Sequence, residues 1–453
     1  MNLTVFYEKI RSLVGHEYFI TNNLEQYQKE WRNRYSFSSI GVVLPNSVSQ
    51  IQNIVTLCQE FNVAIVPQGG NTSLCIQAIP NGSNCPQLIL NLKRLNKIIE
   101  VNQCNSSIKV EAGCILSKVQ QVALQHDLYF PLSIGSEGSS QIGGNIATNA
   151  GGIHVLKYGM MRDLVLGLKV VDANGRLINM DNSLRKVNTN FDLKQLYIGS
   201  EGTLGIIVEA NLKLFNIPKQ LQTCLIGVAT LNEAVNILNI LKKQSDLFAF
   251  EIINQKAQMV YNLFFKNNQL PVSDSWLILC EVIAPTADVF YSINNDNIII
   301  ATNEIQRRAL WLIRENIPLA EKKYGIAVKH DISLPIDKIN DFVTQNQNHI
   351  LDQYPEAELI IFGHLGDGNL HYNVKINNSN NDFRYDEQII NNIVYTDVYK
   401  YNGSFSAEHG IGMLKAGLYK KYTDINSYFV AYNIKKLLDP NNLFNPSKIY
   451  EEK

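Results

Sequence analysis

Several absences narrow what this chain can be. No apolar run reaches the length of a membrane-spanning helix, which needs about twenty residues. Neither charge prevails, since 40 Lys and Arg stand against 41 Asp and Glu. That balance argues against nucleic acid or an anionic membrane as the main partner. The opening MNLTVFYEKIRSL lacks a basic stretch followed by an uninterrupted apolar core, so it does not read as a secretory signal. The seven cysteines are odd in number and show no C-x-x-C spacing. They exclude a disulfide framework and a thiolate cluster, and read as reduced thiols of a cytoplasmic protein.

At 453 residues the chain exceeds one ordinary core, so two or three domains are expected. IGVVLP (Ile40–Pro45) reads as a strand, VSQIQNIVTLCQEFN as a helix and VAIVP (Val63–Pro67) as a second strand. Strand, helix and strand in this order predict a βαβ unit with a parallel pair. GLKVVDANGRLINM predicts a hairpin, and TLGIIVEANLKLF (Thr203–Phe215) a long strand. Past Asn216-Ile217-Pro218 the pattern shifts to amphipathic helices such as ATNEIQRRALWLIRENIPLAEKKYG, with a bend expected at Pro318. Two α+β domains fit this pattern.

The stretch GHLGDGNLHYN, between ELIIF and VKI, reads as strand, turn and strand. Asp-Gly favours a two-residue hairpin loop. With Asp367 and Gly368 in that loop, His364 stands opposite His371, and Asn373 shares their face. Two imidazoles held this way either bind one metal ion or stabilise the hairpin as a hydrogen-bonded pair.

Two glycine loops follow strand ends. PQGGNTSL begins at Pro67, and GSEGSSQIGGNIATNAGG runs from Gly135 to Gly152. Neither contains G-x-G-x-x-G or G-x-x-x-x-G-K-[ST], so neither is a Rossmann fingerprint or a P-loop. Tandem glycines expose backbone N–H groups as an anion-binding nest, so the two either are long surface loops of a β-rich domain or together suit a dinucleotide pyrophosphate.

PQGGNTSL, IGGNIATNAGG, LYIGSEGTLGIIVEA, GHLGDGNLH and SAEHGIG, in this order, resemble the vanillyl-alcohol-oxidase-like flavoproteins. The similarity is to their D-2-hydroxy-acid dehydrogenase branch, which contains the D-2-hydroxyglutarate and D-lactate dehydrogenases and the glycolate oxidase large subunit. It runs from about Trp31 to Lys448. The resemblance implies an α+β fold: a FAD-binding domain of two subdomains over residues 1–216, then a substrate and metal domain with an antiparallel sheet over 217–408. Residues 409–453 would return as a helical segment to the FAD domain.

The cofactor implied is FAD, non-covalent because no His or Cys pair occupies the usual tethering positions. Its expected contacts are Pro67, Gln68, Gly69, Gly70, Asn71, Thr72, Ser73 and Leu74 in the first loop. Pro131, Gly135, Ser139, Ile142, Gly143, Gly144, Asn145, Thr148, Asn149, Gly151 and Gly152 follow from the second. Gly202, Ile207 and Asn445 complete the set. Members of the family more often carry glycine where Ser447 stands, and Val-Gly-Gly where Cys75-Ile76-Gln77 stand.

The resemblance also makes His364, His371 and Glu408 a divalent-metal triad, a donor set that suits zinc first and also iron or manganese. It assigns Arg314, Lys329 and Asn373 to the substrate. His409, beside Glu408, is placed to take the hydroxyl proton while the α-hydride passes to flavin N5. The expected activity is oxidation of a D-2-hydroxy acid, 2-hydroxyglutarate or lactate foremost, to the 2-oxo acid. Some 2-hydroxyglutarate enzymes carry a hydroxyl residue where Pro318 stands, so a distal-carboxylate contact is absent or replaced. Other readings keep the fold: an alkyl-transferring flavoenzyme, or a FAD-binding subunit of a multi-subunit glycolate oxidase. Expected partners are the small 2-hydroxy acid, an electron-transferring flavoprotein or quinone as electron acceptor, and a second copy in a homodimer. Nucleic acid is not among them.

Overall fold

Buried apolar runs sort this chain into three main sheets. The computed structural model describes residues 3–266, 270, 273–283, 293, 297–377 and 383–451. It separates into two units: Met1–Gly152 with Gly159–Ile217 and Glu408–Lys453, and Ile153–Tyr158 with Pro218–Ala407. No described helix is long and apolar enough to cross a membrane.

In the first unit, Gly41–Val43 and Ala64–Gln68 both run parallel to Gln87–Asn91, which lies between them. The expected strand–helix–strand segment is therefore parallel in sense, but its two strands are not direct partners. The reason is visible in QLILN, whose five residues are all buried. A strand hidden on every side belongs in the middle of a sheet. The connecting helix Val48–Glu60 starts at Ser47, whose side chain accepts from the Gln50 N–H. A second, antiparallel sheet of five strands has Ile206–Lys213 at its centre and includes the hairpin Val165–Val171 with Leu177–Met180. The tail rejoins this unit: Ile65 N–H donates to the Leu443 carbonyl at 2.7 Å, and Asn445 N–H to the Ile65 carbonyl at 2.8 Å.

The second unit is built on one antiparallel sheet. Its strands, in chain order, are β1 (Gln222–Val228), β2 (Asp246–Asn254), β3 (Trp276–Ile283), β4 (Ile298–Ile300), β5 (Val328–Ser333), β6 (Glu358–Gly363) and β7 (Asn369–Lys375). They lie in the order β4-β1-β3-β2-β6-β7-β5. Directly opposed residues share a face, so the register can be followed across the sheet. Thr223 faces Glu281, Glu281 faces Ala249, Glu251 faces Leu279 and Ile253 faces Phe362. Phe362 in turn faces His371, His371 faces Asp331, and Asn373 faces Lys329.

One face thus carries an apolar core, with Leu225, Ala249, Ile253, Leu277, Leu279, Ile360 and Phe362, and also every polar residue just named. The helix α1 (Glu304–Tyr324) covers it, packing Trp311, Ile313 and Ile317 into that core. Asn303 caps its start by accepting from the Gln306 N–H, and the helix continues through Pro318.

Glu281 is fully buried and held from three sides. Thr223 Oγ1 donates to it at 2.8 Å, Arg307 Nε at 2.7 Å and Trp311 Nε1 at 2.6 Å, with His154 Nε2 at 3.6 Å. Burial alone pushes this carboxyl up. The His154 and Trp311 hydrogen bonds and the Arg307 charge outweigh it and hold the group down to about 2. A carboxyl lowered on folding stabilises the native state above its unfolded value and loses that contribution as pH falls through the folded value. Chemical unfolding should therefore show a loss on the order of 3 kcal/mol from this group between about pH 4.5 and 2. In Glu281→Gln, that acid-side slope should shrink while stability at neutral pH falls.

Candidate active site

The expected two-residue hairpin loop does not form. His371 faces Phe362, not His364, and the chain turns through a 3-10 segment at Leu365–Asp367 followed by Gly368 at φ +85°. Asp367 and Asn369 N–H both reach the His364 carbonyl, at 3.2 and 3.1 Å, and Leu334 N–H donates to the Gly368 carbonyl at 3.0 Å. A longer loop ending on a left-handed glycine satisfies more backbone groups than the Asp-Gly pair could. It also moves His364 out of the ladder. The rings still meet, with centroids 5.7 Å apart and ring nitrogens within 4.8 Å of one another.

What orients His364 is a residue that motif reading passes over. Glu251 is fully buried on β2; it accepts from His364 Nδ1 at 2.5 Å and from Arg314 Nε at 2.6 Å. Burial pushes its carboxyl up, yet the His364 and Arg314 charges and hydrogen bonds hold it down to about 2. With Nδ1 given to Glu251, any metal bond from His364 is made by Nε2. Arg314 lies with its guanidinium 4.8 Å from the Phe362 ring centroid, and meets Glu251 through Nε, which leaves its terminal fork for a carboxylate. Lys329 Nζ is 2.6 Å from Glu321, a buried residue on α1. Asp331 and Asn373 are both buried and flank His371 on the shared face. Pro318, on α1, is exposed.

Five expected residues of the second unit, Arg314, Lys329, His364, His371 and Asn373, are therefore joined by Glu251, Phe362 and the strand register. Glu251, Asp331 and Glu321 are additions to the set. The signal for Glu251 is a charge inside an apolar run, FAFEIIN, which costs too much to bury without a partner; Glu321, followed by two lysines, carries no such signal. Glu408 and His409 belong to the first unit. Within the second unit, Ala407 N–H donates to the Asp331 carbonyl at 3.3 Å, and Asp331 faces His371.

The glycine loops meet within the first unit. A β-carbon on Gly70 would collide with the Ser139 carbonyl oxygen, whereas one on Gly135 or Gly144 would stand in open space. Gln68 spends its side chain on the Tyr27 and Ala78 carbonyls and on Asn91, and Asn71 reaches the Lys29 carbonyl. These two hold the loop, and Asn91 Nδ2 donates to the Gly69 carbonyl at 3.0 Å. Thr148 Oγ1 donates to the Gly144 carbonyl, and Asn149 accepts from Arg162 N–H. Asn445 Nδ2 donates to the Gln77 and Glu201 carbonyls, and a β-carbon on Gly202 would lie 3.3 Å from Pro67. Ser140 Oγ, Gln141 Oε1, Asn145 Nδ2 and Asn445 Oδ1 are buried without a hydrogen-bond partner among the described residues. Orphaned polar atoms around an open glycine cradle fit a polar, phosphate-bearing ligand.

The departures from the family pattern keep the backbone shape that glycine would give: Ile76 has φ +63° and Ser447 φ +60°. A β-branched residue in that region is strained by about 1–3 kcal/mol.

Comparison with known proteins decides what this architecture is. Residues 39–181 match the FAD binding domain family, and 217–449 the C-terminal domain of FAD linked oxidases. A D-2-hydroxyglutarate dehydrogenase of Stutzerimonas stutzeri is 34% identical, covering 98% of each chain. The mitochondrial D-2-hydroxyglutarate dehydrogenase of Arabidopsis thaliana is 33% identical over 94% of this chain and 78% of its own. The chain belongs to the FAD-linked D-2-hydroxy-acid dehydrogenases.

Solved structures give the fold of these dehydrogenases. A p-cresol methylhydroxylase superposes with a TM-score of 0.75 at 14% identity, covering 99% of this chain and 97% of its own. An alkyldihydroxyacetonephosphate synthase gives 0.74 at 16%, covering 98% and 84%. The dehydrogenase is thus a flavoenzyme of the vanillyl-alcohol-oxidase fold, with FAD as its cofactor. Gly70→Ala should lower flavin content per chain at least about tenfold with circular dichroism unchanged; undiminished flavin would remove the first loop from the cradle.

Proposed function

We propose that this dehydrogenase oxidises D-2-hydroxyglutarate or D-lactate to the 2-oxo acid, using a divalent metal held by His364, His371 and Glu408. The observation that carries the reading is the shared sheet face, where two imidazole nitrogens lie within 4.8 Å and one ring is tied through Glu251 to Arg314. Two imidazoles and a carboxylate form a recognised catalytic donor set with open positions. When bound, the metal would lower the pKa of the substrate hydroxyl and the FAD would accept the α-hydride at N5.

The side chains do the rest. Arg314 turns its terminal nitrogens to the substrate's 1-carboxylate, a bidentate match that fixes orientation. Asn373 donates to an oxygen of the same group. Lys329, steadied by Glu321, offers a point charge to a second carboxylate. His409 accepts the hydroxyl proton, a task for neutral imidazole near pH 7. Zinc is the first choice of metal. The electron acceptor of such a cytoplasmic enzyme would be an electron-transferring flavoprotein or a quinone.

Anaerobic bleaching of the flavin by D and L lactate, 2-hydroxyglutarate and malate, with and without chelator, tests the substrate and metal together. D-acids should bleach and the chelator should stop them. A flavin inert to all of them would favour alkyl transfer or a non-catalytic subunit. His409→Asn should retain metal and FAD while slowing flavin reduction by about a hundredfold or more; an unchanged rate would remove His409 as the base.

A further inference from the structure

The loop that bears His409 is gripped by two side chains from distant parts of the first unit. Glu201, buried in the turn after the short helix Lys194–Tyr197, accepts from Ile411 N–H at 2.6 Å and from Gly412 N–H at 2.7 Å. Gly410 and Gly412 have φ +75° and +53°, which turns successive N–H groups into a concave anion nest. A β-carbon on Gly410 would strike the Glu201 carboxylate, and one on Gly412 the Cys75 carbonyl. The glycines of SAEHGIG are therefore required by what they close upon. Gln77, also buried, donates from Nε2 to the His409 carbonyl at 2.6 Å, and its Oε1 accepts from Cys75 N–H at 3.0 Å. Asn445 Nδ2 binds the Gln77 and Glu201 carbonyls at 2.9 and 2.7 Å, so the two arms share one anchor. Met413 N–H to Cys75 carbonyl, at 2.9 Å, closes the ring.

We propose that Gln77 and Glu201 form a clamp that sets the position of the His409 imidazole, Gln77 from the residue's own carbonyl and Glu201 from the two amides beyond it. Both are positioning residues; this role rests on His409 being the proton acceptor. A base gains its rate advantage only within hydrogen-bond reach of the proton it takes, and small misplacements are costly. A buried amide arm with both ends bonded has few alternative positions, so the peptide it holds is fixed more firmly than an ordinary surface turn.

Gln77→Glu separates the clamp from general packing. The substitution preserves shape and can still accept from Cys75 N–H, but a carboxylate cannot donate to the His409 carbonyl. In the FAD-loaded protein, amide hydrogen exchange over residues 408–414 should speed about tenfold or more. The strand Gln87–Asn91 and the flavin content should stay as in the parent. Anaerobic flavin reduction at saturating D-2-hydroxy acid should fall about tenfold with KM little changed. Gln77→Leu, which removes both bonds without adding charge, should move exchange and rate the same way, and serves if the glutamate variant does not fold. Unchanged exchange and rate in a folded variant would overturn the clamp, as would loss of flavin in step with the rate. If no hydroxy acid reduces the parent flavin, the proposed function fails, and the exchange measurement alone decides the clamp.

Discussion

A single buried carboxylate organises the second unit of this molecule. Glu251 has no exposure to solvent, and an ionised group there is tolerated only with partners on its oxygens. It has two, Arg314 and His364, and they come from different elements: a long helix above the sheet and a turn at the sheet's end. The same carboxylate fixes the rotation of α1 over the sheet, the seating of the hairpin turn and the orientation of one imidazole. Removing any partner would leave a buried charge, so the three are coupled. Glu281 repeats the arrangement on β3 with Arg307 and Trp311 from the same helix. Two buried acids thus hold α1 by a row of side chains, and the row ends where the imidazoles stand.

The flavin half follows a different rule. There the glycine loops are held by side chains that bind backbone groups. Gln68 and Asn71 bind carbonyls of the N-terminal segment, Asn445 bridges two loops, and glycines stand where one loop touches the other. Ile76 and Ser447 show how strongly that geometry is imposed, because they hold left-handed conformations without being glycine.

The parts legible in the sequence were those with local causes. The glycine loops, the hairpin's two strands, the change of character near Asn216 and the cap-to-cap extent of α1 follow from short-range chemistry. Sheet order did not, because the place of Gln87–Asn91 between two parallel strands depends on burial from both sides. The turn between β6 and β7 departs from the expected two-residue loop for a related reason. Asp-Gly is a good local hairpin signal, but the Leu334 and His364 backbone groups need partners that only a longer loop supplies. Glu251 is marked in the sequence only as a charge in an apolar run, and Asp331, beside Lys329 and His330, by nothing at all. Their meaning appears only when register sets Glu251 beside His364 and Asp331 beside His371.

Glu251→Gln gives the most direct test of the central claim. It keeps the shape of the side chain, removes the charge, and places an amide against two N–H donors. Titration of zinc into the metal-free, FAD-loaded protein should show affinity about ten- to a hundredfold weaker than in the parent, with the fold intact. Equal zinc affinity in the two proteins would mean that Glu251 does not orient His364 for a metal, and would contradict the account.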